Sequence, residues 1–160
     1  MKTINIKIEM ENGDVMEGEL YPEIAPITVE NFVNLIKEEF FDGLIFHRVI
    51  QGFMIQGGGY DKNMVHKEAK SIKGEFSANG IENNLKHEPG VLSMARTMVH
   101  DSASSQFFIM HHTSPHLDGQ YAAFGKITKG LDVVDRIACV ETDFQDAPIK
   151  KQVIKSIRLI

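Results

Sequence analysis

Ile4, Ile6, Ile8 and Met10 alternate with polar residues, the period of a strand that buries one face. Asn12-Gly13 follows, a pair that accepts the positive backbone dihedrals of a tight hairpin, so Val15 to Leu20 is predicted to return as the partner strand. The period then changes. Pro22 and Pro26 delay a helix until Thr28, the expected N-cap. After it Val29, Phe32, Val33, Ile36 and Phe40 form one apolar helical stripe, with Glu30 early and Lys37 late, as the helix dipole prefers. Asp42-Gly43 ends this element.

Two short apolar runs come next, Leu44 to Ile50 and Phe53 to Gln56. From Gly57 to Gly90 the chain is mostly polar and weakly periodic, a length typical of a functional segment or a linker. Strand-like runs on both sides favour a surface excursion within one domain. Val91 to Ala95, Gln106 to Met110 and Ala122 to Ile127 read as buried strands. A shorter helix is predicted over Leu131 to Ala138, facing Leu131, Val134 and Ile137 or Ala138 inward, and Val153, Ile157 and Leu159 suggest a last strand. Many short strands, two helices and no βαβ alternation predict a mainly β, closed antiparallel sheet.

The chain's 160 residues bound it to a single domain. Hydrophobic residues at 42% and charged residues at 24% fit a globular protein, neither disordered nor membrane-embedded. Seventeen basic against 22 acidic residues give a formal charge of -5, which opposes nucleic-acid binding driven by backbone electrostatics. The single cysteine, Cys139, excludes an internal disulfide and a multi-cysteine zinc site, and is expected as a small buried hydrophobe. The alternating N-terminal segment lacks the unbroken apolar run of a signal peptide. A cytoplasmic monomer is the resulting expectation.

Four features carry candidate chemistry. Within Phe46-His47-Arg48-Val49-Ile50, alternation puts Arg48 with Phe46 and Ile50 on one face and His47 with Val49 on the other. A guanidinium on so apolar a strand is either an edge residue with a packed stem or a functional cation. Ser104-Ser105-Gln106 lacks a Gly-x-Ser-x-Gly elbow, so the serines read as loop residues rather than nucleophiles. His111, His112 and His116 have no metal-ligand spacing, and Pro115 breaks any helix that would align them. Gly57-Gly58-Gly59 lacks the lysine-serine pair of a phosphate loop and reads as close backbone approach.

Taken together, Phe46-His47-Arg48-Val49-Ile50, Gly52-Phe53-Met54-Ile55-Gln56-Gly57-Gly58, Leu92-Ser93-Met94-Ala95, Ser105-Gln106-Phe107-Phe108-Ile109 and Leu117-Asp118-Gly119 resemble, in order, the signature blocks of the cyclophilins. The resemblance spans essentially the whole chain. The run from Met94-Ala95-Arg96-Thr97 to Ser102-Ala103-Ser104-Ser105-Gln106 is similar to the compact bacterial-type members.

The resemblance implies an eight-stranded antiparallel barrel capped by two helices, and catalysis of cis/trans isomerisation of the peptide bond before proline, without metal or cofactor. By the same carry-over Arg48 is catalytic. Phe53, Met54, Phe108 and Leu117 grip the proline ring, Gln56 and Gln106 position Arg48 and the substrate carbonyl, and His47, Ala95, Arg96, His116 and Tyr121 complete the substrate contacts. The implied partners are proline-containing peptides and unfolded or partly folded proteins. A binding or chaperone-like module with incidental turnover is the alternative, and Arg48 argues against it, since a pocket that only holds proline needs no charge. Three departures stand out: His116 where many eukaryotic relatives have tryptophan, which weakens the expected binding of cyclosporin-type ligands; Tyr121 where those relatives have histidine; and Arg96 in place of an asparagine.

Overall fold

The computed structural model describes residues 2–160. The opening hairpin forms as predicted: β1 (Ile4–Met10) pairs antiparallel with β2 (Val15–Leu20), Ile4 opposite Leu20. Six further strands follow: β3 (Arg48–Ile50), β4 (Met54–Gly57), β5 (Val91–Met94), β6 (Phe107–Met110), β7 (Ala123–Lys129) and β8 (Ile154–Leu159). The helices are α1 (Pro26–Lys37) and α2 (Leu131–Ala138), neither long and apolar enough to cross a membrane.

All strand pairings are antiparallel, in the order β3-β4-β6-β5-β7-β2-β1-β8. The sheet curls into an open half-barrel, not the closed barrel expected. β3 and β8 end the ladder, and one isolated bridge, Ile45 with Val153, spans the seam between them. β3 has only three residues, too few to extend a ladder across that gap.

α1 begins differently from the prediction. Ala25 is its N-cap and Pro26 its first residue, where a missing N–H costs nothing. Thr28 lies inside the first turn, fully buried, and donates its backbone N–H (2.6 Å) and hydroxyl (2.7 Å) to Glu75 Oε1. A carboxylate from the long excursion thus caps the helix and meets its positive end. The C-terminus also comes early, at Lys37. Glu39 takes a left-handed φ of 57°, and the Phe40 N–H returns to Leu35 O, which closes the helix and buries Phe40 without helical backbone. In α2 the buried residues are Val133, Val134, Ile137 and Ala138, while Leu131 is 45% exposed. The inward stripe therefore starts two residues later than predicted. Cys139, expected to be buried, is exposed.

Two apolar clusters lie on opposite faces of the sheet. The larger is built around Phe32, whose ring sits 5.0 Å from those of Phe41 and Phe124 and 5.3 Å from Phe107. The smaller holds Met54, Phe108, Met110 and Leu117. Strand β6 feeds both, Phe107 and Ile109 to one and Phe108 and Met110 to the other. A strand buried on both faces has no polar alternation, hence its unbroken apolar sequence.

Candidate active site

A cavity of about 180 Å³ opens over the smaller cluster. Phe53 and Met54 line one side, Phe108 and Leu117 another, and Arg48 and Gln56 stand together at the rim. Ala95, Arg96 and Tyr121 complete the wall. The Tyr121 ring meets Phe108 edge-on at 5.7 Å, a favourable aromatic geometry. The stretches Arg48 to Gln56 and Ala95 to Tyr121 thus meet because β6 lies between β4 and β5.

The polar rim is a chain of hydrogen bonds. Arg48 and Gln56 are register partners across β3 and β4, and Arg48 Nη1 donates to Gln56 Oε1 at 3.3 Å. Gln56 Nε2 in turn donates to Gln106 Oε1 at 3.0 Å. Gly59 makes room for this chain, since a Cβ there would lie 2.5 Å from Gln106 Cγ, while Gly57 admits the neighbouring backbone, a Cβ there lying 2.6 Å from Ile45 O. Ser105, read as a loop residue, donates its hydroxyl to Gly58 O at 2.7 Å. Arg48 is exposed and, among the described residues, pairs with no carboxylate. Its remaining N–H groups are free for a ligand.

Behind the cavity lies a buried network that sequence reasoning missed. His87 Nε2 and Ser93 Oγ are 2.8 Å apart, and His87 Nδ1 and Asp118 Oδ1 3.0 Å. The His87 ring stacks on Phe108 at 6.0 Å. Burial holds the imidazole below its ordinary pKa despite the neighbouring carboxylate. The His87 carbonyl also accepts the Ser114 N–H, and its N–H donates to Asp118 Oδ1, so one residue anchors both ends of the 3₁₀ turn Pro115–Leu117. His87 lies in the aperiodic excursion, where no local pattern signals a partner 31 residues away.

Not every predicted contact reaches the cavity. His47 stands outside its lining, with its ring 4.7 Å from Tyr60 and its Nδ1 buried without a partner, because successive side chains leave a strand on opposite sides. Burial first, then Arg48 and His66, push its pKa down to about 4. His116 packs on Phe53 at 5.9 Å, at the edge of the lining. Gln106 lines an adjoining cavity. The three histidines weighed as ligands diverge: His111 and His112 rings touch at 4.6 Å, while His116 goes to Phe53. His111 instead approaches Asp135 and Cys139. Its Nδ1 accepts the Gly52 N–H at 2.9 Å, so Nε2 carries the ring proton toward Asp135 and offers a metal no lone pair. A larger cavity of about 420 Å³ near Asn12, Arg136 and Lys150 contains none of these groups.

A ring-sized apolar niche, rimmed by a guanidinium and amides on a curled antiparallel sheet, is the arrangement of a peptide-binding isomerase. Comparison with known proteins specifies which. Residues 5–159 match the family described as cyclophilin type peptidyl-prolyl cis-trans isomerase/CLD. A peptidyl-prolyl cis-trans isomerase of Acinetobacter baylyi is 46% identical over 164 residues, 96% of this chain and 84% of that protein. One from Schizosaccharomyces pombe is 40% identical over 97% of this chain and 99% of its own length. A solved Cryptosporidium parvum cyclophilin type isomerase superposes with a TM-score of 0.88 at 28% identity, covering 99% of this chain and 98% of that one. The same protein was also solved in the presence of the dipeptide Ala-Pro, with a TM-score of 0.85 at 28% identity over 98% of each chain. The chain belongs to the cyclophilin-type peptidyl-prolyl cis-trans isomerase family, and its activity is that isomerisation.

Proposed function

We propose that Arg48 is the catalytic group, acting on a proline seated among Phe53, Met54, Phe108 and Leu117. The barrier, about 18–20 kcal/mol, is the loss of amide resonance as the C–N bond twists. Twisting leaves a basic lone pair on the prolyl nitrogen. A guanidinium N–H directed at that nitrogen is bonded in the transition state and hardly in the planar ground state, so it lowers the barrier rather than tightening binding. Speeding a process of tens of seconds to about a millisecond requires roughly 6 kcal/mol. One charge-assisted hydrogen bond supplies about half of this, and orientation of the gripped ring the rest.

The observation that carries this reading is that Arg48 shares one cavity with Phe53 and Phe108 while, among the described residues, its guanidinium is tethered by side-chain hydrogen bonding to Gln56 alone. Clients are proline-containing peptides and incompletely folded chains. Gln56 and Gln106 hold Arg48 and the substrate carbonyl in place, and Ala95, Arg96 and Tyr121 bound the flanking peptide. Neither a metal nor a cofactor enters the mechanism. We place the protein in the cytoplasm as a monomer, a compartment that suits its one exposed, unpaired cysteine. His116 on Phe53 offers less apolar area than an indole, which supports weak binding of cyclosporin-type ligands.

Exchange between cis and trans Xaa-Pro in a short peptide, followed by NMR, tests the assignment. Wild type should accelerate exchange, and Arg48→Ala should lower kcat/KM about a hundredfold while the peptide still binds. Equal rates for the two proteins would overturn the role of Arg48.

A further inference from the structure

The Arg96 side chain is held between two aromatic rings at the edge of the cavity. Its guanidinium carbon lies 4.6 Å from the centroid of the Phe76 ring and 4.6 Å from that of Tyr121. Nε and Nη2 both donate to Gln120 O, at 3.2 and 2.6 Å, and Nη1 donates to Thr97 O at 2.9 Å. Rings and carbonyls fix the cation without cancelling it. Among the described residues no carboxylate pairs with it. Of the five N–H groups of an arginine, three are thus engaged, and one on each terminal nitrogen is left for a ligand.

The cation also stands where two cavities join. The niche for the proline ring and a neighbouring cavity of about 280 Å³ share Gln56, Ala95 and Arg96. The second cavity continues past His66 and Thr97 to Ser102 and Ser104. Neither lining contains an aspartate or glutamate, although the chain as a whole carries a charge of -5. The groove is therefore a cationic strip on an acidic protein. An extended peptide advances about 3.3 Å per residue, so a chain whose proline fills the first cavity brings a residue within two positions of it to the second.

We propose that Arg96 makes this groove selective for client segments that carry a carboxylate within two residues of the isomerised proline. The inference rests on the isomerase reading above and names the substrate class of that site. Because Arg96 is held in advance, binding the carboxylate costs little side-chain ordering. The contact is to a part of the client that does not react, so it acts on KM, while kcat stays set at Arg48.

The test compares three short Xaa-Pro peptides that differ only in Glu, Gln or Lys at a flanking position, scanned from two residues before the proline to two after. NMR exchange gives kcat and KM for wild type, Arg96→Gln and Arg96→Lys. At one position at least, wild type should prefer Glu to Lys by about fivefold in kcat/KM, with Gln between them and the difference in KM. Arg96→Gln should bring the Glu/Lys ratio to about one, and Arg96→Lys should keep its sign. Raising salt from about 0.02 M to about 0.5 M shortens the screening length from ~20 Å to ~4 Å and should shrink the ratio. Equal kcat/KM for Glu and Lys peptides at every position, or a ratio that survives Arg96→Gln, overturns the proposal while leaving the isomerase reading intact. Failure to accelerate any of the peptides overturns that reading itself.

Discussion

Arg48 and Gln56 face each other across the β3–β4 ladder, and the guanidinium donates to the amide oxygen at 3.3 Å. The distance is long for a charge-assisted bond, which is commonly 2.7–2.9 Å. The tether thus orients the cation without consuming its donor capacity. Gln56 has no other acceptor oxygen to offer, so its removal leaves the arginine head free to sample solvent. Gln56→Leu should lower kcat about tenfold with a smaller change in KM, as measured by single-peptide exchange kinetics. A change confined to KM would mean that Gln56 contacts substrate and does not hold Arg48.

Gly59 supports the same chain from behind. The methyl of Gly59→Ala would meet the flexible Gln106 side chain at 2.5–2.7 Å, so the glutamine yields rather than the backbone. The variant should fold with a melting temperature within about 2 °C of wild type. Its kcat should fall about threefold as Gln106 leaves Gln56. Retained kcat would show that the Gln56–Gln106 bond is dispensable.

His47 makes stability depend on pH. Its folded pKa of about 4 lies below the ordinary imidazole value of 6.5, because burial disfavours the charged ring, with Arg48 and His66 adding to the effect. Above about pH 6.5 both folded and unfolded rings are neutral and the residue has no pH-dependent effect. As pH falls from about 6.5 to about 4 the unfolded chain takes up the proton first, so stability is lost across that window. Allowing for the ring's partial exposure, the loss is about 1–2 kcal/mol. Urea denaturation of wild type and His47→Phe at pH 7 and pH 4.5 should show the variant losing less on acidification. Identical losses would contradict the buried, neutral ring.

Glu39 carries conformational strain at the end of α1. Its φ of 57° is a left-handed conformation that glycine adopts freely and glutamate does not. The ion pair it makes with Arg158, 3.8 Å at an exposed site, contributes little. Glu39→Gly should therefore stabilise the protein by about 0.5–1 kcal/mol, which raises the melting temperature by about 2 °C in a calorimetric scan. A lower melting temperature would mean that Glu39 does more than close the helix.

Local patterning carried the hairpin, both helices, the buried strands and the two short apolar runs on either side of Gly52. Each depends on which face a residue presents, and that is a property of neighbours along the chain. A two-residue turn at Asn12-Gly13 would put Ile4 opposite Tyr21; the loop instead takes three residues, Glu11 to Gly13, with Met10 N–H bonded to Asp14 O, and Ile4 lies opposite Leu20. Family-like blocks then marked Arg48, Phe53, Phe108 and Leu117 as one group, and the structure brings them to one cavity.

Other features depended on segments meeting from far apart. Glu75 caps α1 at Thr28 across 47 residues, and His87 reaches Asp118 across 31. Neither partner has a local period that points to the other. The open seam was equally hidden, because pairing pattern and strand length, not alternation, decide whether β3 meets β8. Arg96 makes the division plain: its charge is written in the sequence, but Phe76 and Tyr121 come to flank it only when the sheet curls. Sequence alone determined most of the side chains that turn inward, Leu131 and Cys139 excepted, since that follows from helix and strand geometry. Tertiary structure alone decided which of them share a cavity and which charges stay unpaired, since both depend on how distant strands pack and exclude water.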